Sequence, residues 1–351
     1  MSDKNQQECR LGTVGGQAVM EGVMMQSKEG IAIAVRNVSG EIVVRRKEKK
    51  SLRDKYKICR VPIIRGIVNF IEMMIMSFST LTESADMMGI EMDEPSKFEK
   101  WLDKKFGKSI IAFASFIGTI LGVGLALVLF MWLPAFLVKL TQQYLFDPHW
   151  AKSLLEGIIK IGIFVSYLAL VSLIPDIKRV FMYHGSEHKT IFCYEKGEEL
   201  TVENVKKQIR FHPRCGTSFM FVILIISILI GTVITWDVMW LRILLKILIL
   251  PLIVGIGYEY IRYAGKHDNA LTRILSAPGL WMQRITTKEP DDSMIEVAIA
   301  SVKSSLRVQF PDYEVPYEKK NEDVSDNKTE KTDAQTEKTD TQTEKIDGEN
   351  L

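Results

Sequence analysis

Four cysteines and five histidines are few for a chain of 351 residues, and neither sign of charge is in surplus. Cys9, Cys59, Cys193 and Cys215 include no C-x-x-C pair and no zinc-finger spacing. Residues 1–10 are polar and lack an apolar core, so no cleavable signal sequence is expected there, and with it no disulfide framework. A formal net charge of +2 offers no global basic surface. With no helix-turn-helix signal and no arginine-rich arm, nucleic acid is not an expected partner.

What the chain has is segregation. Hydrophobic residues make up 47% and charged residues 25%, but long uncharged apolar runs alternate with highly charged stretches. Four runs read as membrane spans: Ile110–Val138, Leu154–Pro175, Ser218–Trp236 and about Ile243–Tyr258. Lys97, Lys100, Lys104, Lys105 and Lys108 precede the first run, and Lys178 to Arg214 supply eight basic residues between the second and third. The linkers on the other side carry only Lys139 and Lys152, or are very short and hold Asp237. The lysine and arginine bias therefore assigns both termini and residues 176–217 to the cytoplasm of a multi-pass protein of the cell membrane.

Outside the spans the reading divides into smaller regions. Ile31, Ile33 and Val35 alternate with small or polar residues, Ser39-Gly40 forms a turn and Ile42-Val43-Val44 continues, which is a hairpin signal. The basic stretch from Arg45 to Arg60 reads as contact with anionic lipid head groups. Residues 61–81 are apolar but carry Arg65, Asn69 and Glu72, which favours an amphipathic or re-entrant helix at the interface over a further span. Thr201 is placed to cap a helix running to about Arg210. Ile295, Ala298, Ile299, Val302 and Leu306 recur at helical spacing. The repeated Thr-Glu-Lys-Thr-Asp unit of the tail has no aromatics to bury and is expected to be disordered. The expected fold class is an α-helical polytopic membrane protein with about four transmembrane helices, a small N-terminal β region and a disordered C-terminal tail. Its regions are 1–60 with the hairpin and basic segment, 61–90, the membrane domain 109–260 with its cytoplasmic loop 176–217, the cytoplasmic segment 261–316, and 317–351.

The chemistry-bearing motif is His184-Gly185-Ser186-Glu187-His188, an H-x-x-E-H pattern directly after the second span. Positions i, i+3 and i+4 share one helix face, so two imidazoles point at a common atom with a carboxylate beside them, the ligand-plus-base arrangement of an inverted zincin motif. Such a site needs a third ligand. Glu259, in Tyr258-Glu259-Tyr260 at the end of the fourth span, reaches the same membrane depth and is the expected one. The expected roles are His184, His188 and Glu259 as metal ligands and Glu187 as base, with a divalent metal, zinc by default and manganese or iron as alternatives. His212, Cys215, Glu195, Asp176 and Glu21 are other donors near the loop, and Arg210 and Arg214 could instead hold an anion. The competing reading is an exposed helix with two surface histidines, in which Gly185 weakens the helix by about 1 kcal/mol relative to alanine.

Several long peptides resemble the YqhQ-like family of bacterial membrane proteins. They are Gly15 to Met25, Ser186-Glu187-His188-Lys189-Thr190, Arg214 to Phe219, Pro278-Gly279-Leu280-Trp281-Met282-Gln283 and Thr286-Thr287-Lys288-Glu289-Pro290. The resemblance covers about residues 10–312 and leaves the tail outside. It implies a membrane location and metal-dependent enzymatic chemistry without naming a reaction, and it puts His184, Glu187 and His188 at the family's H-x-x-E-H position. The leading expectation is a membrane-embedded metal-dependent hydrolase with its site at the cytoplasmic face. The alternative is a non-catalytic scaffold or regulator recruiting cytoplasmic protein partners. A transporter ranks below both, because no inverted repeat is evident.

Overall fold

A computed structural model describes residues 10–48, 51–89, 109–144, 152–233, 239–264 and 269–314. The expectations for the lysine cluster at 97–108, for Asp237 and for the tail from 317 lie outside those residues. The chain opens with four strands, β1 (Gly15–Val19), β2 (Gly22–Gln26), β3 (Ile31–Arg36) and β4 (Ile42–Lys47). They form an antiparallel meander in the order β1-β2-β3-β4. The expected hairpin is β3–β4, joined at Arg36↔Ile42, with Gly40 at φ 85° taking the left-handed position of its turn. The glycine-containing stretch before it, for which no strand was expected, supplies β1 and β2.

A short helix α1 (Leu52–Lys55) and a 3₁₀ turn (Lys57–Arg60) lead into α2 (Ile64–Met87). A long apolar helix follows as α3 (Ser109–Leu127), a π turn at Val128–Trp132 and α4 (Leu133–Tyr144). Pro134 has no N–H to give the carbonyl four residues back and its ring crowds it, which the wider turn accommodates. Then come α5 (Lys152–Val171), α6 (Pro175–Glu195), α7 (Val202–Lys206), α8 (Gly216–Val233), α9 (Met239–Ala264), α10 (Ala270–Thr286) and α11 (Asp292–Ser305). The Thr201 hydroxyl caps α7 as expected, and the expected C-terminal helix is α11, capped by Asp291.

This is a polytopic helical membrane protein. Among the described residues four stretches are long and apolar enough to cross a bilayer: Ile64–Met87, Ile117–Tyr144, Leu154–Val171 and Ile247–Ala264. The set differs from the sequence reading at two points. The described apolar stretch Gly216–Gly231 of α8 is shorter than these, and the end of the expected third span, residues 234–236, lies outside the described residues. Residues 64–81 of the stretch read as an interfacial helix lie in α2, which has the length and composition of a span, yet whose second half packs on the sheet through Ser77, Thr80, Glu83 and Met87. Its polar residues are answered locally: the Glu72 carboxylate accepts from the Ser51 hydroxyl and the Leu52 N–H, and Arg65 pairs with Glu259. The last turns of α2 also cover the sheet.

The sheet is buried on both faces, unusual for a small antiparallel meander. Val23, Met25, Ala32, Ala34 and Val44 face α6 and α11. Val19, Met24, Ile33, Val35 and Val43 face Met87 and Met76 of α2. The period-2 alternation serves two cores at once. The small residues on the first face let α11 lie close, and the Ser301 hydroxyl donates to the Ala32 carbonyl at 3.0 Å. On the α2 side Gln17 bonds Ser77 and Thr80, and Glu83 pairs with Arg45 and Lys47.

Candidate metal centre

The sheet, α6 and the segment after α10 build the site. Pro175 stands in the first turn of α6, where its fixed φ and missing N–H cost nothing, and Asp176 there favours the helix dipole. The second half of the helix is polar yet buried nearly all round, including Gly185, Ser186, Glu187, His188 and Lys189. This disposes of the exposed-helix reading. Gly185 has a packing reason. A Cβ at this position would come 2.0 Å from the Lys288 carbonyl oxygen, because residues 286–290 cross the helix there. The Lys288 N–H donates to the Phe181 carbonyl at 2.8 Å and fixes that crossing.

Two backbone carbonyls set the histidine tautomers. His184 Nδ1 lies 2.9 Å from the Thr286 carbonyl oxygen, and His188 Nδ1 lies against the Arg210 carbonyl. A carbonyl only accepts, so both Nδ1 atoms carry the proton and both Nε2 atoms present a lone pair. The rings meet edge to face with centroids 4.4 Å apart. Cys215, one residue before α8 begins, closes the cluster with its Sγ 3.2 Å from His184 Nε2. The ligand atoms of His184, His188 and Cys215 lie within 4.8 Å of one another, and among the described residues this is the group of three or more donors close enough to hold a metal ion. A tetrahedral zinc with ordinary Zn–N and Zn–S bonds needs an N···S separation of about 3.6 Å, so small shifts of the thiol suffice.

Glu187 borders the same point. Its Oε2 is 3.8 Å from His184 Nε2 and 3.9 Å from His188 Nε2. Among the described residues no lysine or arginine pairs with it. Burial pushes its carboxyl up to about 7, against the opposing pull of His184 and the Gly16 backbone. Gly16 is the wall on that side. A Cβ there would meet the Met24 carbonyl at 2.6 Å and Glu187 Cγ at 3.1 Å.

A second histidine–glutamate group lies alongside. The His212 ring is 5.5 Å from that of His188, and its Nε2 is 3.7 Å from Glu195 Oε2, an electrostatic contact rather than a hydrogen bond. Glu195 also accepts from the Gly12 N–H at 2.8 Å and pairs with Arg214. Burial pushes the Glu195 carboxyl up, but His212, Gly12 and Arg214 prevail and hold it below the usual carboxylate range. Burial pushes the His212 imidazole down, and this outweighs the upward pull of Glu195.

Three of the four residues expected at the site are thus brought together. Glu259 is not: its carboxylate takes both Arg65 Nε, at 2.6 Å, and Arg65 Nη2, and lies 3.4 Å from the Ile63 N–H. Equal membrane depth did not reveal that Arg65 stands between. Cys215 takes the third position, and its partner is His184 rather than His212 of the H-x-x-C spacing. Of the other candidates, Glu21 is engaged by Arg179 and Tyr183, and Arg210 by Glu289. The Thr286 carbonyl and Gly16 carried no chemical signal in the sequence, since one contributes only backbone and the other no side chain.

The chain is 35% identical over 296 residues, 84% of its own length and 92% of the relative's, to the uncharacterised protein YqhQ of Bacillus subtilis (strain 168). No solved structure matches it. Residues 61–308, which include α6, Cys215 and α10, match the family described as protein of unknown function DUF1385. The chain belongs to that family, the YqhQ-like membrane proteins.

Proposed function

We propose that this protein is a membrane-embedded, metal-dependent hydrolase with its site at the cytoplasmic face. The observation that carries the reading is the convergence of two imidazole Nε2 lone pairs and one thiol beside a buried carboxyl that has no lysine or arginine partner among the described residues. His184, His188 and Cys215 hold the cation, and the His/His/Cys set favours zinc. When bound, a divalent cation there supplies a Lewis acid that acidifies water and polarises a carbonyl or phosphoryl oxygen. Three protein donors would leave a position open for substrate or water. Glu187 Oε2, 3.8 and 3.9 Å from the two Nε2 atoms, stands beside that position, where a carboxylate can take a proton from water and return it to a leaving group. The Thr286 and Arg210 carbonyls keep both rings oriented. The lysine and arginine bias supports a cytoplasmic location for both termini and for this loop.

One observation favours a second reading. Glu187 Oε2 is almost equidistant from both Nε2 atoms, so it could close the coordination shell. The metal would then be structural and the protein a scaffold. Metal content of the purified full-length chain separates the two. We expect about one zinc per chain, lost in His184→Ala, His188→Ala and Cys215→Ala and retained in Glu259→Gln. Glu187→Gln keeps the metal if Glu187 is the base and loses it if it is a ligand. A folded wild type without stoichiometric metal after reconstitution with zinc would sink both readings.

A further inference from the structure

The collar around the end of α9 is built from two segments that show an apolar face to the outside. Tyr258, Glu259 and Tyr260 tie them together. Arg53 Nη1 is 3.5 Å from the Tyr258 hydroxyl, Glu259 holds Arg65, and the Tyr260 hydroxyl donates to the Thr272 carbonyl of α10 at 3.4 Å. On α10 Ile274 is 69% and Trp281 53% exposed, seven residues apart on one face. On the other segment Tyr56 is 49% and Ile58 66% exposed. The buried face of α10 is held firmly, since a Cβ at Gly279 would lie 2.6 Å from Ser218 Cα. The apolar exposure is therefore a property of a docked helix, not of a frayed one.

The exposed charges described on these segments are basic: Arg284 on α10, which contains no acidic residue, and Lys55 and Lys57 on the other segment, whose single acidic residue is Asp54. A soluble protein partner would not explain why both patches flank the end of a membrane-length helix. A bilayer surface does: its boundary takes aromatic and aliphatic side chains, and its phosphates take lysine and arginine. We propose that α10 and residues 52–61 form a collar seated on anionic phospholipid head groups. The inference stands without the metal reading. A consequence rests on that reading: the last turn of α10 carries the Thr286 carbonyl that orients His184, and Gln283 brackets the His212 backbone through both its amide atoms. Lipid seating of α10 would thereby hold the metal ligands in register.

The full-length chain in phosphatidylcholine nanodiscs, with and without phosphatidylglycerol, tests this. Trp281 fluorescence, taken as wild type minus Trp281→Phe, should be quenched at least about twofold by lipid brominated near the head group and little by acrylamide. The exposed triple variant Lys55→Glu, Lys57→Glu, Arg284→Glu should cut co-purifying phosphatidylglycerol at least about tenfold relative to phosphatidylcholine. Trp281 quenched by acrylamide and not by brominated lipid would overturn the collar and point to water or a soluble partner at this face. Unchanged phosphatidylglycerol in the triple variant would overturn its anionic preference. A metal-free chain that passes both tests would sink the proposed function and leave the collar standing.

Discussion

Glu187 and Glu195 are both buried, both next to a histidine, and both roofed by the same N-terminal segment, through Gly16 and Gly12 respectively. Their chemistry is opposite. Glu195 is held ionised by His212, the Gly12 N–H and Arg214, whereas Glu187 has no lysine or arginine partner among the described residues and is pushed to about 7. These three partners together make the difference. A buried carboxylate with an arginine is fixed structure, and one without it keeps a proton available near neutral pH.

Removing the carboxylates should break the comparison most strongly. Glu195→Gln leaves the Arg214 guanidinium without its partner, which costs about 3 kcal/mol for a side chain still partly exposed. Glu187→Gln strands no charge and should cost far less, as thermal unfolding of the detergent-solubilised protein would register. Equal losses would mean that the two sites do not differ as described.

The next effect is pH dependence in metal-free protein. The folded value for Glu187 lies above its ordinary 4.5, so the native state binds the extra proton. Below the ordinary value both states are protonated and nothing is lost. As pH rises through about 7 the native state loses stability on the order of 3 kcal/mol relative to the unfolded chain. Glu195 is lowered, so its stabilising contribution is present at neutral pH and lost as pH falls. Unfolding midpoints between mildly acidic and mildly alkaline pH should therefore decline in wild type and flatten in Glu187→Gln. A decline that survives the substitution would assign it to another group.

The smallest effect sharpens the comparison. Gly185→Ala forces residues 286–290 away from α6, at about 1–3 kcal/mol of overpacking. The carbonyl that orients His184 moves with them, while the Glu195 group, held by Gly12 and Arg214, should stay. Zinc affinity should drop with the acid-limb stability intact. Unaltered zinc affinity would show that the crossing at Lys288 does not govern His184.

Much of this was legible in the sequence. The β3–β4 hairpin followed from alternation, α7 from its threonine cap, α11 from helical spacing, and the shared face of His184, Glu187 and His188 from periodicity. What failed involved contacts distant in the chain. Gly16 in β1 carries no side chain and so no signal, yet its smallness is what admits Glu187. The partners of Arg65 and Glu72, Glu259 and Ser51, come from other segments and are not named by anything local. Cys215 was visible as a donor, but nothing local to it names His184. α10 is absent from the sequence reading, although its amphipathic spacing and its Asn269 cap are both in the sequence, and its Thr286 contributes a carbonyl that every residue owns.

The double burial of the sheet bears on how the protein is made. Its strands leave the ribosome within the first 47 residues, but one of their two covers, α11, is not complete until Ser305. Hydrophobic strands must wait through the insertion of every apolar helix before Met294, Ile295 and Ala298 arrive to close over them. During that interval α2 can shield one face, because it follows at once, while the face that will wall Glu187 stays open. Glu187 acquires its full environment only once α11 is made, so a chain truncated before α11 would carry His184, His188 and Cys215 and still lack the finished site.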